Sequence, residues 1–147
     1  MDLIDELAGK DSMRGYGLML DLEAQSFQSD ALFCFFDDFV ELTRHSNSFV
    51  RMRGFRLAMA QAEWDDQDKI ASRFDELAAL LHDQKPTVVR QSLSVLHRAV
   101  QIRPQLAPLV LAELEKVDVS KYASSMAPLI AQDVTALRGR LEKLPVD

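Results

Sequence analysis

The sequence predicts an all-α protein, a right-handed α–α solenoid of about four two-helix units, and three observations point there. First, the chain repeats. Arg14-Gly15-Tyr16-Gly17-Leu18 returns 39 positions later as Arg53-Gly54-Phe55-Arg56-Leu57, and Val50-Arg51 returns 39 positions later as Val89-Arg90. A period of that length built on helix–turn–helix units is a solenoid signature. Second, apolar residues recur at helical spacing along most of the chain. Third, no strand signal competes: there is no Asn-Gly type of hairpin dipeptide and no useful alternating run.

The elements follow in order. Leu3, Ile4, Leu7 and Ala8 mark a short first helix over residues 2–8, with Gly9 as its stop. Asp11-Ser12 supplies an N-cap for a second helix reaching about Gln25, striped by Met13, Tyr16 and Leu20 and, beside them, Leu18 and Leu22. A third runs from about Asp30 to Arg44. Its apolar residues cover so much of the circumference that it reads as the central helix. Asn47 or Ser48 caps a fourth, ending near Glu63, which carries Val50, Gly54 and Leu57 on one stripe and Met52, Phe55 and Met59 on another.

The fifth helix, about Gln67–His82, has one clean face of Ile70, Phe74, Leu77 and Leu81. Pro86 suits the first position of the sixth, where Val89, Leu93, Leu96 and Val100 oppose Arg90, Gln91, Ser94, His97, Arg98 and Gln101. The seventh covers about Gln105–Val117, with Pro108 in its first turn. Val119–Ala123 reads as an irregular link. The eighth helix runs from about Ser124 to Lys143 on a face of Met126, Ile130, Leu137 and Leu141, and Leu144–Asp147 reads as a frayed tail.

Composition bounds the function. One domain, 1–147, is the reading for 147 residues with 48% hydrophobic and 27% charged content. A net charge of −6 disfavours a protein whose main work is gripping nucleic-acid backbone or an anionic membrane. No apolar run approaches the ~18 residues of a membrane span. Cys34 is the single cysteine, expected as a small buried hydrophobe in the run Ala31–Phe36. With no disulfide possible and an acidic rather than basic first segment, the chain reads as a reduced, cytoplasmic protein.

Several segments carry a family likeness. A turn followed by Phe49-Val50-Arg51 or Val88-Val89-Arg90 and an amphipathic helix is similar to the second helix of a HEAT repeat. Asn47–Gly54, Ala62-Glu63-Trp64-Asp65, Asp83-Gln84-Lys85-Pro86, Arg90-Gln91 and Asp118–Tyr122 followed by Ser125–Leu129 resemble a family of small HEAT-like proteins of Gram-positive bacteria, some labelled SufBD-like. The resemblance spans the chain from about residue 47 onward and implies an all-α HEAT/ARM-like fold. It brings no activity, and one cysteine offers no thiolate set for an iron–sulfur cluster.

Each candidate for chemistry has a structural competitor. Arg51 and Arg90, at the repeat period, read first as ties between units and second as a guanidinium pair for an acidic partner. Arg44, His45, Arg51, Arg53 and Arg56 form the one dense basic run, read as a solvated face ahead of a nucleic-acid site. Trp64-Asp65-Asp66 is faintly similar to the Trp and Asp of HEAT-like DNA glycosylases. A helix cap by Asp65 or Asp66, with Trp64 filling the gap between units, explains them without chemistry. His45, His82 and His97 lie in different units with no metal-ligand spacing, and no nucleophile–base pair or phosphate loop appears. Gly15 and Gly54, at the period, suggest close helix approach.

The expectation is a non-catalytic protein-binding or scaffold module with no cofactor and no metal. It would use its concave face toward an unidentified protein, through Arg51, Met52, Phe55, Met59, Arg90, Gln91 and Arg98. Met52, Phe55 and Met59 under Met13, Tyr16 and Leu20 would form a Met-rich groove, if they are not simply core. Nucleic-acid binding by a degenerate relative of HEAT-like DNA glycosylases is the alternative, and a non-catalytic subunit of a partner enzyme a third.

Overall fold

Three of the helices begin with a side-chain cap from the residue just before them. Asp2, Asp11 and Asn47 each accept a backbone N–H of the first turn they precede, at 2.9, 3.1 and 2.8 Å. The computed structural model describes residues 2–144 and is all-helical, with no strand among them. Its helices are α1 (Leu3–Leu7), α2 (Ser12–Ser26), α3 (Phe36–Leu42), α4 (Ser48–Ala60), α5 (Lys69–Ser72), α6 (Phe74–Ala78), α7 (Pro86–Ser94), α8 (Leu96–Ile102), α9 (Ala107–Leu114) and α10 (Ala127–Glu142). None is long and apolar enough to cross a membrane. Apart from Leu144, the expected frayed tail lies outside the described residues.

Two expected helices are interrupted. The fifth divides at Arg73 (φ −105°, ψ 14°) into α5 and α6 and tightens into a 3-10 turn over Ala79–His82. The sixth divides at Val95 (φ −103°, ψ −4°) into α7 and α8. Their apolar faces survive: Ile70, Phe74, Leu77 and Leu81, and Val89, Leu93, Leu96 and Val100, are all buried. The third helix starts later than its pattern suggests, because Phe33–Phe35 is a 3-10 turn. That turn holds Leu32 and Phe36 in the core and points Cys34 outward, so the cysteine is exposed, not buried. The eighth likewise starts at Ala127 rather than near Ser124.

α2, α4, α7 and α10 pack side by side in series, and each is backed by the helix or 3-10 turn that precedes it in the chain. The most enclosed helix is α4 and not α3. Val50, Met52, Arg53, Gly54, Phe55, Leu57 and Met59 are all buried, whereas α3 leaves Asp37, Asp38 and Glu41 in water. The packing therefore takes both of α4's apolar stripes.

Backbone carbonyls left open at helix ends are closed by the next unit. Trp64 Nε1 donates to the carbonyl of Ser26, the last residue of α2, at 2.7 Å. Arg103, 39 positions after Trp64, donates from Nε to the carbonyl of Ala62, just past α4, at 2.7 Å. The side chains differ but the joint is the same. Lys121 Nζ and the Tyr122 hydroxyl donate to the carbonyls of His82 and Asp83, each at 2.6 Å. Asp65 receives the N–H groups of Lys69 and Ile70 at 2.8 and 2.9 Å, confirming it as the cap of α5.

Gly54 permits close approach of α3: a Cβ there would lie 2.5 Å from the carbonyl oxygen of Phe39. Gly15 serves a different neighbour. A Cβ at Gly15 would meet the Arg53 guanidinium carbon at 2.3 Å, so glycine vacates the space that this buried side chain fills. Gly17, two residues on, faces nothing within 4 Å. Gly17→Ala should therefore stabilise by about 0.5–1 kcal/mol, and Gly15→Ala should destabilise by about 1–3 kcal/mol. In an Arg53→Ala background, Gly15→Ala should become neutral or stabilising; urea denaturation of the double-mutant cycle checks the change of sign.

Candidate functional site

Three arginines leave α4 in three directions, and each is spent on its own protein. Arg51 donates from Nε and Nη2 to the two Asp83 oxygens at 2.9 and 3.1 Å, and from Nη1 to the carbonyls of His45 and Ser46 at 3.0 Å. Arg53 is buried whole. Its Nη1 and Nη2 donate to the carbonyls of Leu7 and Ser12 at 2.7 and 3.2 Å, and Nε has no partner. Burial pushes its pKa down, and the charge of Asp11 offsets part of that. Arg56 spans the row: Nε and Nη2 bind Glu23 of α2 at 3.0 and 2.7 Å, while Nη1 binds the Gln91 side-chain oxygen of α7 at 2.7 Å. Burial works against its charge, and the hydrogen bond and charge of Glu23 outweigh it, so its pKa is raised.

The basic run is thereby dispersed. Arg44 pairs with Glu76 at 2.7 Å, and His45 Nδ1 accepts the Asn47 N–H at 3.0 Å. No stretch of positive surface runs from Arg44 to Arg56. Arg90, the repeat counterpart of Arg51, is also paired, but differently. The position 39 residues after Asp83 is Tyr122, so Arg90 turns to Asp133 of α10, 2.7 Å from its Nε. The hydrogen bond and charge of Asp133 raise its pKa.

The Met-rich groove expected from Met52, Phe55 and Met59 is corrected by the packing. Phe55 and Met59 are 1% exposed and Met52 is 5% exposed, all three within the core cluster. They are enclosed because α4 has neighbours on every side. Apolar surface appears instead at the ends of the row's helices. Met13 is 86% exposed and Phe49 49% exposed. With half-buried Tyr16 and the edge of Met52 they line a trough of about 360 Å³ that crosses from α2 over α4 to Thr87 and Gln91 of α7.

Thr87 and Gln91 also belong to a cleft of about 530 Å³ between α7 and α10, which Arg90, Ser94, His97, Asp133 and Arg140 share. Ser94 leads on to a smaller hollow of about 200 Å³ around Arg98, Phe27, Glu23 and Arg56. Trough and cleft share Thr87 and Gln91, and cleft and hollow share Ser94, so the three neighbour one another along α7. Of the seven predicted contact residues, Arg90, Gln91 and Arg98 lie on this face of the helix row. Arg51 is a tie between units. Met52 only edges the trough, Phe55 is core, and Met59 reaches no further than the edge of the hollow.

Like Arg140, Arg98 is a guanidinium on this face with no protein acceptor among the described residues. Its Cζ stacks 3.8 Å above the Phe27 ring. Burial lowers its pKa, offset in part by the charges of Glu63 and Glu23. Phe49 is the residue that helix patterning overlooks. It belongs to neither apolar stripe of α4, and an apolar side chain outside both stripes is the legible signal of an exposed one. Among the described residues no His, Cys, Asp and Glu group of metal-binding size occurs.

No family model matches the chain, and neither a curated protein nor a solved structure matches it.

The face depends on Arg56 holding α2 and α7 together. Both partners of the Arg56–Glu23 pair keep about a tenth of their side chains in water, at 12% and 11%. Glu23→Ala leaves the guanidinium without its carboxylate and should cost about 2–3 kcal/mol, somewhat under the figure for a fully buried pair. The loss should change little between low and moderate salt, unlike that of a surface pair, in chemical denaturation followed by circular dichroism.

Proposed function

We propose that the chain is a non-catalytic, HEAT-like protein-binding module that holds its partner across the face of α2, α4, α7 and α10. A short solenoid is supported by the serial packing of those four helices, each backed by its predecessor, and by the equivalent joints of Trp64 and Arg103. The observation that carries the binding role is the trough. Two large apolar side chains from neighbouring units, Met13 and Phe49, stand in water beside each other, with nothing among the described residues covering them. Met and Phe are also residue types favoured where a protein surface re-packs on a partner.

Nucleic-acid binding loses its support from the basic run, whose arginines already hold Glu76, Asp83, Glu23 and buried carbonyls. A cytoplasmic setting, with Cys34 reduced, fits this reading. In affinity capture from a lysate of the cells that make the protein, a partner retained by the native chain should be lost on Phe49→Glu. It should be retained on Leu109→Glu, which alters an exposed leucine of α9 outside the face. Loss with Leu109→Glu and retention with Phe49→Glu would overturn the reading.

A further inference from the structure

We infer that the cleft between α7 and α10 is a carboxylate-binding subsite, and that it takes an acidic segment of the partner protein whose apolar residues lie in the adjoining trough. The inference rests on the protein-binding reading above and specifies its partner.

The cleft is made by two polar stripes that face each other. Thr87, Arg90, Gln91 and Ser94 recur at i, i+3, i+4 and i+7 on α7, and Asp133, Leu137 and Arg140 at i, i+4 and i+7 on α10. Side chains that meet across packed helices normally fill the gap between them. Here an opening of about 530 Å³ is left.

Its hydrogen-bonding capacity is one-sided. The Gln91 side-chain oxygen accepts from Arg56, so the Gln91 amide N–H groups are left to donate, while Ser94 spends its one proton on the Gln91 carbonyl and keeps only lone pairs. Asp133, the only carboxylate lining the cleft among the described residues, is engaged by Arg90. Arg140 is exposed and meets no carboxylate among the described residues. What is offered to a ligand is therefore mainly donors, and the fitting group is an acceptor: a carboxylate or a phosphate.

Charge agrees. Arg90 and Arg140 against Asp133 leave one cation in excess, and Lys85 lines a separate neighbouring hollow with Phe49 and Thr87. That local excess sits on a chain of net charge −6. A polyanion such as nucleic acid would meet the repulsion of the whole molecule, whereas a short acidic segment meets the cleft alone.

The choice between the two anions follows from the neighbouring surface. Through Thr87 and Gln91 the cleft opens into the apolar trough of Met13, Tyr16 and Phe49. Phosphate has no use for that trough, and a peptide with apolar residues next to its acids fills both.

The test uses fluorescein-labelled peptides with a pair of leucines followed by a run of glutamates, and the same peptide with glutamines. Binding is read by anisotropy, and its place by amide shifts in two-dimensional NMR. The acidic peptide should shift amides of α7 and α10. It should bind at least about tenfold more tightly than the glutamine peptide and lose about tenfold or more on Arg140→Glu, an exposed change that leaves the fold intact. Asp133→Asn should act oppositely and tighten it a few-fold, by removing the competing carboxylate.

Equal binding of the two peptides, or no effect of Arg140→Glu while Phe49→Glu abolishes binding, would overturn the subsite and leave the protein-binding reading standing. Full displacement by millimolar inorganic phosphate, with the same amides shifted, would overturn the acidic segment as ligand. Failure of both peptides while the native chain captures a partner that Phe49→Glu loses would also sink the inference alone.

Discussion

The structure depends first on a guanidinium group placed where water does not reach it. Arg53 leaves the centre of α4, passes under α2 where Gly15 has no Cβ, and ends on the carbonyls of Leu7 and Ser12. An unpaired charge in that position would be costly, and the carbonyl of Leu7, the last residue of α1, is an inexpensive acceptor because it needs a partner in any case. The two bonds do two things together: they offset part of the burial cost of Arg53 and tie the end of α1 to the start of α2. Nε remains without a partner, so the compensation is incomplete. The rest of the N-terminal half is built on this contact, and α4 becomes the hub because Arg51 and Arg56 extend the same arrangement to Asp83 and to Glu23 with Gln91.

A division of labour follows. Polar positions that recur with the period are spent on joints: Arg51 on the Asp83 turn, Trp64 and Arg103 on the carbonyls that end the previous row helix. Such bonds between side chain and helix terminus set the offset between neighbours, and burial of both α4 stripes then locks it. Side chains that make no joint and fill no core are left to face solvent. Met13, Phe49 and Arg140 are of this kind, and so is Arg98, stacked on Phe27 with its N–H groups unspent. Recognition is assigned to these residues because the fold makes no other demand on them.

Most helices and most of their inward faces were legible in the sequence, since a 3.6-residue apolar spacing survives whatever the helix packs against; α2 is the exception, because Met13 and Leu20 of its expected stripes are exposed and Met19, in neither stripe, is buried. Asp65 as a cap and Arg51 as a tie were legible too, because turn chemistry is local. Three further things were not. Met52, Phe55 and Met59 look like a spare face when α4 is taken alone; α4 has neighbours on every side, and only the packing shows it. Cys34 sits in an apolar run, yet a 3-10 turn carries it outward. The interruptions at Arg73 and Val95 have no proline or glycine to announce them, so the periodicity reads straight through.

The central claim is that the α2, α4, α7 and α10 face, and not the backing helices, is the one that meets other molecules. Site-specific photo-crosslinking in living cells tests it most directly, with a benzophenone amino acid placed in turn at Met13, Phe49, Arg140 and, outside the face, Leu109. The expected result is one common adduct from Met13, Phe49 and Arg140 and none from Leu109. An adduct from Leu109 with none from the other three would contradict the claim.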